Sequence, residues 1–291
     1  MDAEGYIYTR EGYTNYTKES NHGWIFIIIV VVFIIIVGAI VGFVIFYKKP
    51  VPPPSNIPLS LLTFNPHYQC FAAGNECCSN VIVNYINTNL ISRNIDFANI
   101  IEMEIYNYQP PTGFSIINKQ CGSISSGDYI SMIYNNVRWT PVGAPNTYCI
   151  GNRPTIIQQY RLINQNTLVW VIGAHFTHDL QQYVSGLNTA ITQMGISVND
   201  KVVFMADTNQ VGTSEKLITD ILGFRPPIIM ASTQDVGTCC YPHFSQPYDR
   251  IITTFGSAIQ SYIPTFNEIV PNPTSNCSYS EFHKAIFAVI H

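Results

Sequence analysis

The sequence predicts an α/β domain of two layered β-sheets with helices outside, preceded by one membrane-spanning helix. Three observations lead there. Many short apolar runs recur with turn residues between them, and only a few helical stretches interrupt them. Several of the runs end abruptly in hydrogen-bonding side chains. Finally, residues 24–47 hold no charge and are almost wholly Ile, Val, Phe and Gly.

The segment 24–47 comfortably spans a hydrocarbon core of roughly 30 Å at about 1.5 Å per residue. Trp24 and Tyr47 flank it at headgroup level, followed by Lys48 and Lys49. A cleaved signal peptide needs a shorter apolar core and a small-residue cleavage site, and neither is present. The expected organisation is a polar tail over 1–23, the transmembrane helix over 24–47, a Pro-rich linker over 48–57 and one large domain over 58–291. Pro50 to Ser55 reads as a stiff polyproline spacer within that linker.

Orientation stays open on charge, because Arg10 and Lys18 before the segment balance Lys48 and Lys49 after it. The 8 cysteines all lie beyond the segment, and an even number points to at least one disulfide and an oxidising compartment. None has the CxxC spacing of a zinc site. Glycosylation sequons occur on both sides, at Asn15-Tyr16-Thr17 and Asn276-Cys277-Ser278, so they do not decide the matter. The cysteines favour a single-pass membrane protein with a lumenal, extracellular or virion-surface C-terminal domain.

Setting aside Arg10, Lys18, Lys48, Lys49, Asp2, Glu4, Glu11 and Glu19 leaves the domain with a net charge of −4, the value for the whole chain. There is no basic run, which argues against strong non-specific attraction to nucleic acid.

In chain order, Leu61 to Asn65 is the first expected strand and 80–92 the first helix. Strands follow over 100–106, 129–134, 155–163 and 168–175, then a helix over 180–194. A strand over 202–206, a helix over 214–222 and strands over 250–254 and 284–290 complete the series. Polar residues punctuate these strands. Asp207 and Asn209 close Val202-Val203-Phe204-Met205-Ala206-Asp207-Thr208-Asn209 and by alternation project the same way, although Asp-x-Asn also reads as turn chemistry. Asn65 ends the first strand and His175 the strand over 168–175. Asp249 begins the strand Tyr248-Asp249-Arg250-Ile251-Ile252, and His283 precedes the last one. His178 reads as surface, and His67 and His243 have no role on sequence grounds.

The ordered series Thr63-Phe64-Asn65, Met103-Glu104, Gly173-Ala174-His175-Phe176, Ala206-Asp207-Thr208-Asn209, Asp249-Arg250-Ile251 and Ser280-Glu281-Phe282-His283 resembles the motifs of the endonuclease/exonuclease/phosphatase superfamily. The resemblance covers nearly all of 58–291. It implies a four-layered α/β sandwich whose strand ends converge on a phosphate and a divalent metal, Mg²⁺ or Mn²⁺. It implies further that Asp207 orients or deprotonates a water, and that Asn65 and Asn209 bind phosphate oxygens. His175 donates to developing charge, and Asp249 raises the basicity of His283. The metal carboxylate is expected from Glu104. The family's Glu position falls on Ile105, so a bulge or register shift is needed to turn Glu104 toward Asn65 and Asp207, leaving Glu102 elsewhere. The family's Ser-Asp-His becomes Ser280-Glu281-Phe282-His283. Tyr134 and Arg153 fall where the family often contacts phosphate.

The function so implied is a membrane-anchored, metal-dependent phosphodiesterase acting on nucleic acid, a phospholipid headgroup or a small phosphoester. The alternative is a catalytically silent relative that binds a protein partner at a membrane or virion surface.

Overall fold

A computed structural model describes residues 27, 28, 30–33, 58–105, 107–123, 126–212, 229–230, 236–256, 258–274 and 276–291. The chain divides into two units, residues 1–53 and 54–291. In the first, Ile27, Ile28, Val30, Val31, Val32 and Phe33 are helical and exposed. No helix among the described residues is long and apolar enough to cross a membrane. Most of the expected span 24–47, the tail 1–23 and the linker 48–57 lie outside the described residues, as does the expected helix 214–222.

The second unit holds twelve named strands and three helices among its described residues: β1 (Leu59–Phe64), α1 (Glu76–Ser92), β2 (Phe97–Ile101), β3 (Phe114–Gln120), β4 (Tyr129–Asn135), β5 (Trp139–Ile150), β6 (Arg153–Leu162), β7 (Leu168–His175), α2 (Leu180–Gln193), β8 (Val202–Asp207), β9 (Ile229–Met230), β10 (Asp249–Thr253), β11 (Ala258–Tyr262), α3 (Phe266–Ile269) and β12 (Ile286–Ile290). They form two mixed six-stranded sheets, ordered β11-β12-β1-β2-β4-β3 and β5-β6-β7-β8-β10-β9. Each sheet centres on a parallel pair, β1 with β2 and β7 with β8, flanked by an antiparallel partner, β12 and β10 respectively. The C-terminal ends of β1 and β8 therefore lie beside the N-terminal ends of β12 and β10.

Strand alternation sorts the core. Leu59, Leu61, Phe97, Ile101, Val169, Val171, Val203, Met205 and Ile251 meet between the sheets. Leu62, Phe64, Ala98 and Ile100 face the other way, onto Ile82, Ile86 and Leu90 of α1. Ile172, Ala174, Phe204 and Ala206 face Tyr183, Leu187 and Ile191 of α2. Because both faces of β8 are covered, the strand reads as a continuous apolar run. Each fully buried Ile or Leu of α1 contributes roughly 1.5–3 kcal/mol. Asp179 caps α2 by accepting from Gln182 N, and Gly195, at φ 68°, ends it.

One polar bridge crosses between the sheets: Asn99 Nδ2 of β2 donates to Met205 O of β8 at 2.9 Å. It runs over Gly173, where an added Cβ would stand 2.5 Å from Asn99 Oδ1. Gly173→Ala is expected to cost about 1–3 kcal/mol by overpacking, read as a lowered denaturant midpoint; an unchanged midpoint would show that the sheets can part there freely.

The eight cysteines lie in four pairs: Cys70 with Cys78, Cys77 with Cys277, Cys121 with Cys149, and Cys239 with Cys240. The first two hold the N-terminal turn of α1 to the segment before it and to residue 277.

Candidate active site

The inner-face parity that buries Leu61, Val171 and Met205 carries on to Asn65, His175 and Asp207 at the ends of β1, β7 and β8. His175 stands opposite Asp207 in the parallel β7–β8 register, and Asp249 stands opposite Asp207 in the antiparallel β10–β8 register. His283 arrives from the segment before β12, its N–H donating to Asn65 O at 3.1 Å. All five side chains are buried.

Asn65 joins the two sheets. Its Nδ2 donates to Asp207 Oδ2 at 2.9 Å and to Glu102 Oε1 at 3.2 Å, while Oδ1 accepts from His67 N at 2.8 Å. The carboxylate on the far side of that amide belongs to Glu102, not to Glu104. Glu102 follows β2 with φ 59°, a left-handed conformation that resets the alternation of the strand. Met103 consequently drops into the α1 core. Glu102 turns inward instead, with Oε2 accepting from Tyr68 N at 3.0 Å. Glu104 Oε1 accepts from Gly127 N at 3.1 Å, and Ile105 packs against the α1 core. The expected inward turn of Glu104 is not what the structure shows: β2 keeps an unbroken register with β1 and β4, and the left-handed conformation just after it turns Glu102 inward instead. Gly127 allows the approach, since a Cβ there would come within 3.0–3.1 Å of the Glu102 carboxylate.

His175 Nδ1 lies 3.0 Å from Gly127 O, an acceptor, and 3.3 Å from Arg153 Nη1, a donor, so these two neighbours together hold the ring whichever nitrogen carries the proton. Arg153 Nη1 donates to the same carbonyl at 3.1 Å and pairs with Asp128. Nε2 faces Glu102 Oε1 at 3.5 Å and Asp207 Oδ2 at 3.9 Å. Burial pushes the His175 pKa down to about 3 despite Asp207, keeping the ring neutral. Asn209 Nδ2 donates to Phe176 O, and its N–H to Asp207 Oδ1, both at 2.9 Å.

Asp249 Oδ2 and His283 Nδ1 are 2.7 Å apart, and Asp207 Oδ2 is 3.7 Å from the same nitrogen. Burial alone would lower the His283 pKa, but Asp249 and Asp207 outweigh it and raise it to about 9. Burial would likewise raise Asp207, yet His283, His175 and the donors Asn65 and Asn209 hold it below the usual range. Glu102 goes the other way, up to about 7, because burial and Asp207 outweigh its hydrogen bond from Tyr68. Arg250, also buried, ties down the loop after β8 by donating to Thr208 Oγ1, Gln210 O and Gly212 O.

His67 is the residue that sequence reasoning passed over. It is buried, with φ 65°, and its Nε2 lies 3.2 Å from Glu281 and 3.7 Å from Glu102. Nothing in Asn65-Pro66-His67 signals this except adjacency to Asn65. Tyr134 packs on Tyr160 in the inter-sheet core instead of lining the site, and His178 and His243 are exposed. A cleft of about 440 Å³ beside Tyr85, Arg93, Tyr262 and Glu268 is lined by none of the site residues.

The donor set suits a hard divalent cation. Two carboxylate oxygens and an imidazole nitrogen face one another around a single amide, an electron-rich arrangement that a cation would relieve. Asp207, Asp249 and His283 also offer ligand atoms within 4.8 Å of one another.

No protein-family model matches the sequence, and no curated protein matches it. Solved structures do. Humanized D. rerio TDP2 superposes with a TM-score of 0.60 at 12% identity, over 80% of this chain and 99% of that one. An endonuclease/exonuclease/phosphatase from Bacteroides vulgatus gives 0.60 at 12%, over 81% and 99%. ANGEL2, a 2',3'-cyclic phosphatase in complex with adenosine-2',3'-vanadate, gives 0.58 at 9%, over 81% and 97%. At such identities the likeness is one of fold: this chain has the endonuclease/exonuclease/phosphatase fold.

Proposed function

We propose that the protein is a phosphoesterase that hydrolyses a phosphodiester. The observation that supports this most is the meeting of Glu102, Asn65, Asp207 and the Asp249–His283 pair at one end of the two sheets, all at or beside strand ends except His283, which the segment before β12 brings in. In this reading Asp207, held ionised, accepts a hydrogen bond from a water and aims it at phosphorus. His283, held protonated by Asp249, donates from Nε2 to the charge that builds on the phosphoryl oxygens or the leaving group. Asn65 and Asn209 fix the Asp207 carboxylate by donating to its two oxygens. Arg153 and Gly127 fix the His175 ring. Glu102 with Asp207, and His175 through Nε2, would hold Mg²⁺ or Mn²⁺, which when bound supplies Lewis-acid neutralisation of the phosphate. With Glu102 in place, the site retains the carboxylate whose loss would have favoured a silent binding protein.

The substrate class is open to direct assay. Full-length protein in detergent, offered nucleic acid, phospholipid and small phosphodiesters with and without Mg²⁺ or Mn²⁺, should hydrolyse at least one class only with metal. Failure on all three with metal present would remove the enzyme reading.

Residues 24–47 are proposed as a single membrane anchor, with the C-terminal domain on the oxidising side. The four cysteine pairs and the exposed Asn276 of a sequon support that side. A mobility shift on enzymatic deglycosylation, lost in Asn276→Gln, is the expected result in a glycosylating cell; protease access only from the cytosolic face would reverse the orientation.

A further inference from the structure

We infer that Cys239, Cys240 and His283 form a second metal site, for a borderline-soft divalent cation of the zinc class, once the Cys239–Cys240 pair is reduced. The backbone holds these residues together without help from the sulfur–sulfur bond. Lys284 N donates to Thr238 O and Tyr241 N to Phe282 O, both at 2.9 Å, so the strand of chain bearing the two cysteines is clamped on either side of His283. The cysteine segment is closed on its other side as well, by Cys239 N to Gln246 O at 2.9 Å and Gln246 N to Cys239 O at 2.7 Å. Cys240 Sγ lies 3.8 Å from His283 Nε2, and one ligand atom from each of the three residues falls within 4.8 Å of the others. Cys239 is buried while Cys240 is half-buried, which gives the ligand set one open side.

The two nitrogens of His283 thus face different partners. Nδ1 is held by Asp249 at 2.7 Å, and Nε2 points to sulfur. A metal-bound histidine usually has its second nitrogen held by a carboxylate, which orients the ring and raises its basicity, and here that support is already built. Two thiolates and an imidazole favour zinc-class ions over Mg²⁺, whereas the oxygen-rich set around Glu102 and Asp207 has the opposite preference. Three protein ligands leave the fourth tetrahedral position to water.

The steps balance. A dithiol or phosphine reductant gives two electrons to the Cys239–Cys240 bond, and two protons from solvent complete the thiols. The reductant leaves as its cyclic disulfide or, after taking an oxygen from water, as its phosphine oxide. The cation then displaces both thiol protons and the Nε2 proton of the imidazolium, while Nδ1–H stays on Asp249. A cation so placed takes the nitrogen that His283 needs for proton donation, so reduction followed by zinc should silence hydrolysis. That consequence rests on the phosphoesterase reading; the binding does not.

The test uses full-length protein, phosphine-reduced, desalted without oxygen and titrated with Co²⁺ as a spectroscopic probe. The expected result is a sulfur-to-cobalt charge-transfer band with intense tetrahedral visible bands, absent before reduction and abolished by stoichiometric Zn²⁺. Cys239→Ser and Cys240→Ser should each remove the band. His283→Asn, which keeps both thiols and the backbone clamps, should weaken Co²⁺ affinity at least about tenfold. A band of undiminished strength in both serine variants would assign it to other cysteines and overturn the proposal, as would no band in the reduced wild type. Should the serine variants fail to fold, unchanged affinity in His283→Asn overturns it alone. In parallel, Zn²⁺ should inhibit Mg²⁺-dependent hydrolysis only after reduction. A cobalt band in a protein without hydrolysis under any condition would keep the site and remove the phosphoesterase reading.

Discussion

His283→Asn and Asp207→Asn should each lower phosphodiester turnover by at least about a hundredfold, the usual scale for losing an acid or base. Asparagine is the informative replacement because both sites are buried. Truncating His283 to alanine would leave buried Asp249 without the donor it has at 2.7 Å, a defect of roughly 1–3 kcal/mol that would confuse catalysis with folding, whereas asparagine keeps an N–H within reach. In Asp207→Asn the amide oxygen can still accept from Asn65 Nδ2 or Asn209 N. Steady-state rates on whichever substrate class is cleaved, with thermal midpoints run alongside, decide the matter. Near-wild-type rates in either variant would exclude that residue from the chemistry.

The pH profile carries an independent signature of the same pair. His283 is buried against Asp249, Asp207, Glu102 and Cys240, with His67 nearby. Burial disfavours its charge, but the carboxylates prevail and its pKa rises to about 9, above the ordinary 6.5. A raised folded-state value means that the stabilisation from the charged ring is complete below about 6.5 and is lost as pH rises through about 9. Turnover that uses the protonated ring falls over the same alkaline limb. Asp249→Asn removes the largest raising charge, so the limb should move to lower pH. Superimposable profiles for wild type and Asp249→Asn would show that the pair does not set the limb.

What the sequence revealed follows sheet position closely. The interior strands β1, β4, β6, β7, β8, β10 and β12 are readable from apolar runs, β7 to the residue, whereas β2 (Phe97–Ile101) meets the expected strand 100–106 only at Ile100 and Ile101, because the chain leaves the sheet at the left-handed Glu102. The four that escape, β3, β5, β9 and β11, are the sheet edges. An edge strand has one ladder and a half-exposed face, so its pattern is weakly constrained. β5 even carries Pro141, Gly143 and Pro145, with a register shift between Val142 and Asn146. Site residues obey a similar rule. Asn65, His175, Asp207 and Asp249 continue their strands' alternation, so period two finds them. Glu102 and His67 both have positive φ at ordinary residues, a conformation with no sequence mark at a glutamate or a histidine.

Glu102 is therefore where the structure departs most sharply from the sequence, and the contrast of two glutamines tests it. Glu102→Gln should lower Mg²⁺-dependent turnover by about a hundredfold, as loss of a preorganised charge in a closed site commonly does, and should weaken Mn²⁺ binding followed by electron paramagnetic resonance. The substitution preserves the shape of the side chain and one acceptor oxygen, enough for Tyr68 N or Asn65 Nδ2 but not for both, so thermal midpoints are read alongside the rates. Burial raises the Glu102 pKa to about 7, and the ionised form of a group so placed is worth most to a bound cation. Glu104→Gln should be mild, within roughly fivefold, because its carboxylate accepts from Gly127 N outside the Asn65 hydrogen bonds. Part of that loss would come through Gly127, whose carbonyl holds the His175 ring. If Glu104→Gln shows the large loss while Glu102→Gln is benign, the left-handed turn after β2 does not exist in the working protein, and the carboxylate comes from two residues further along.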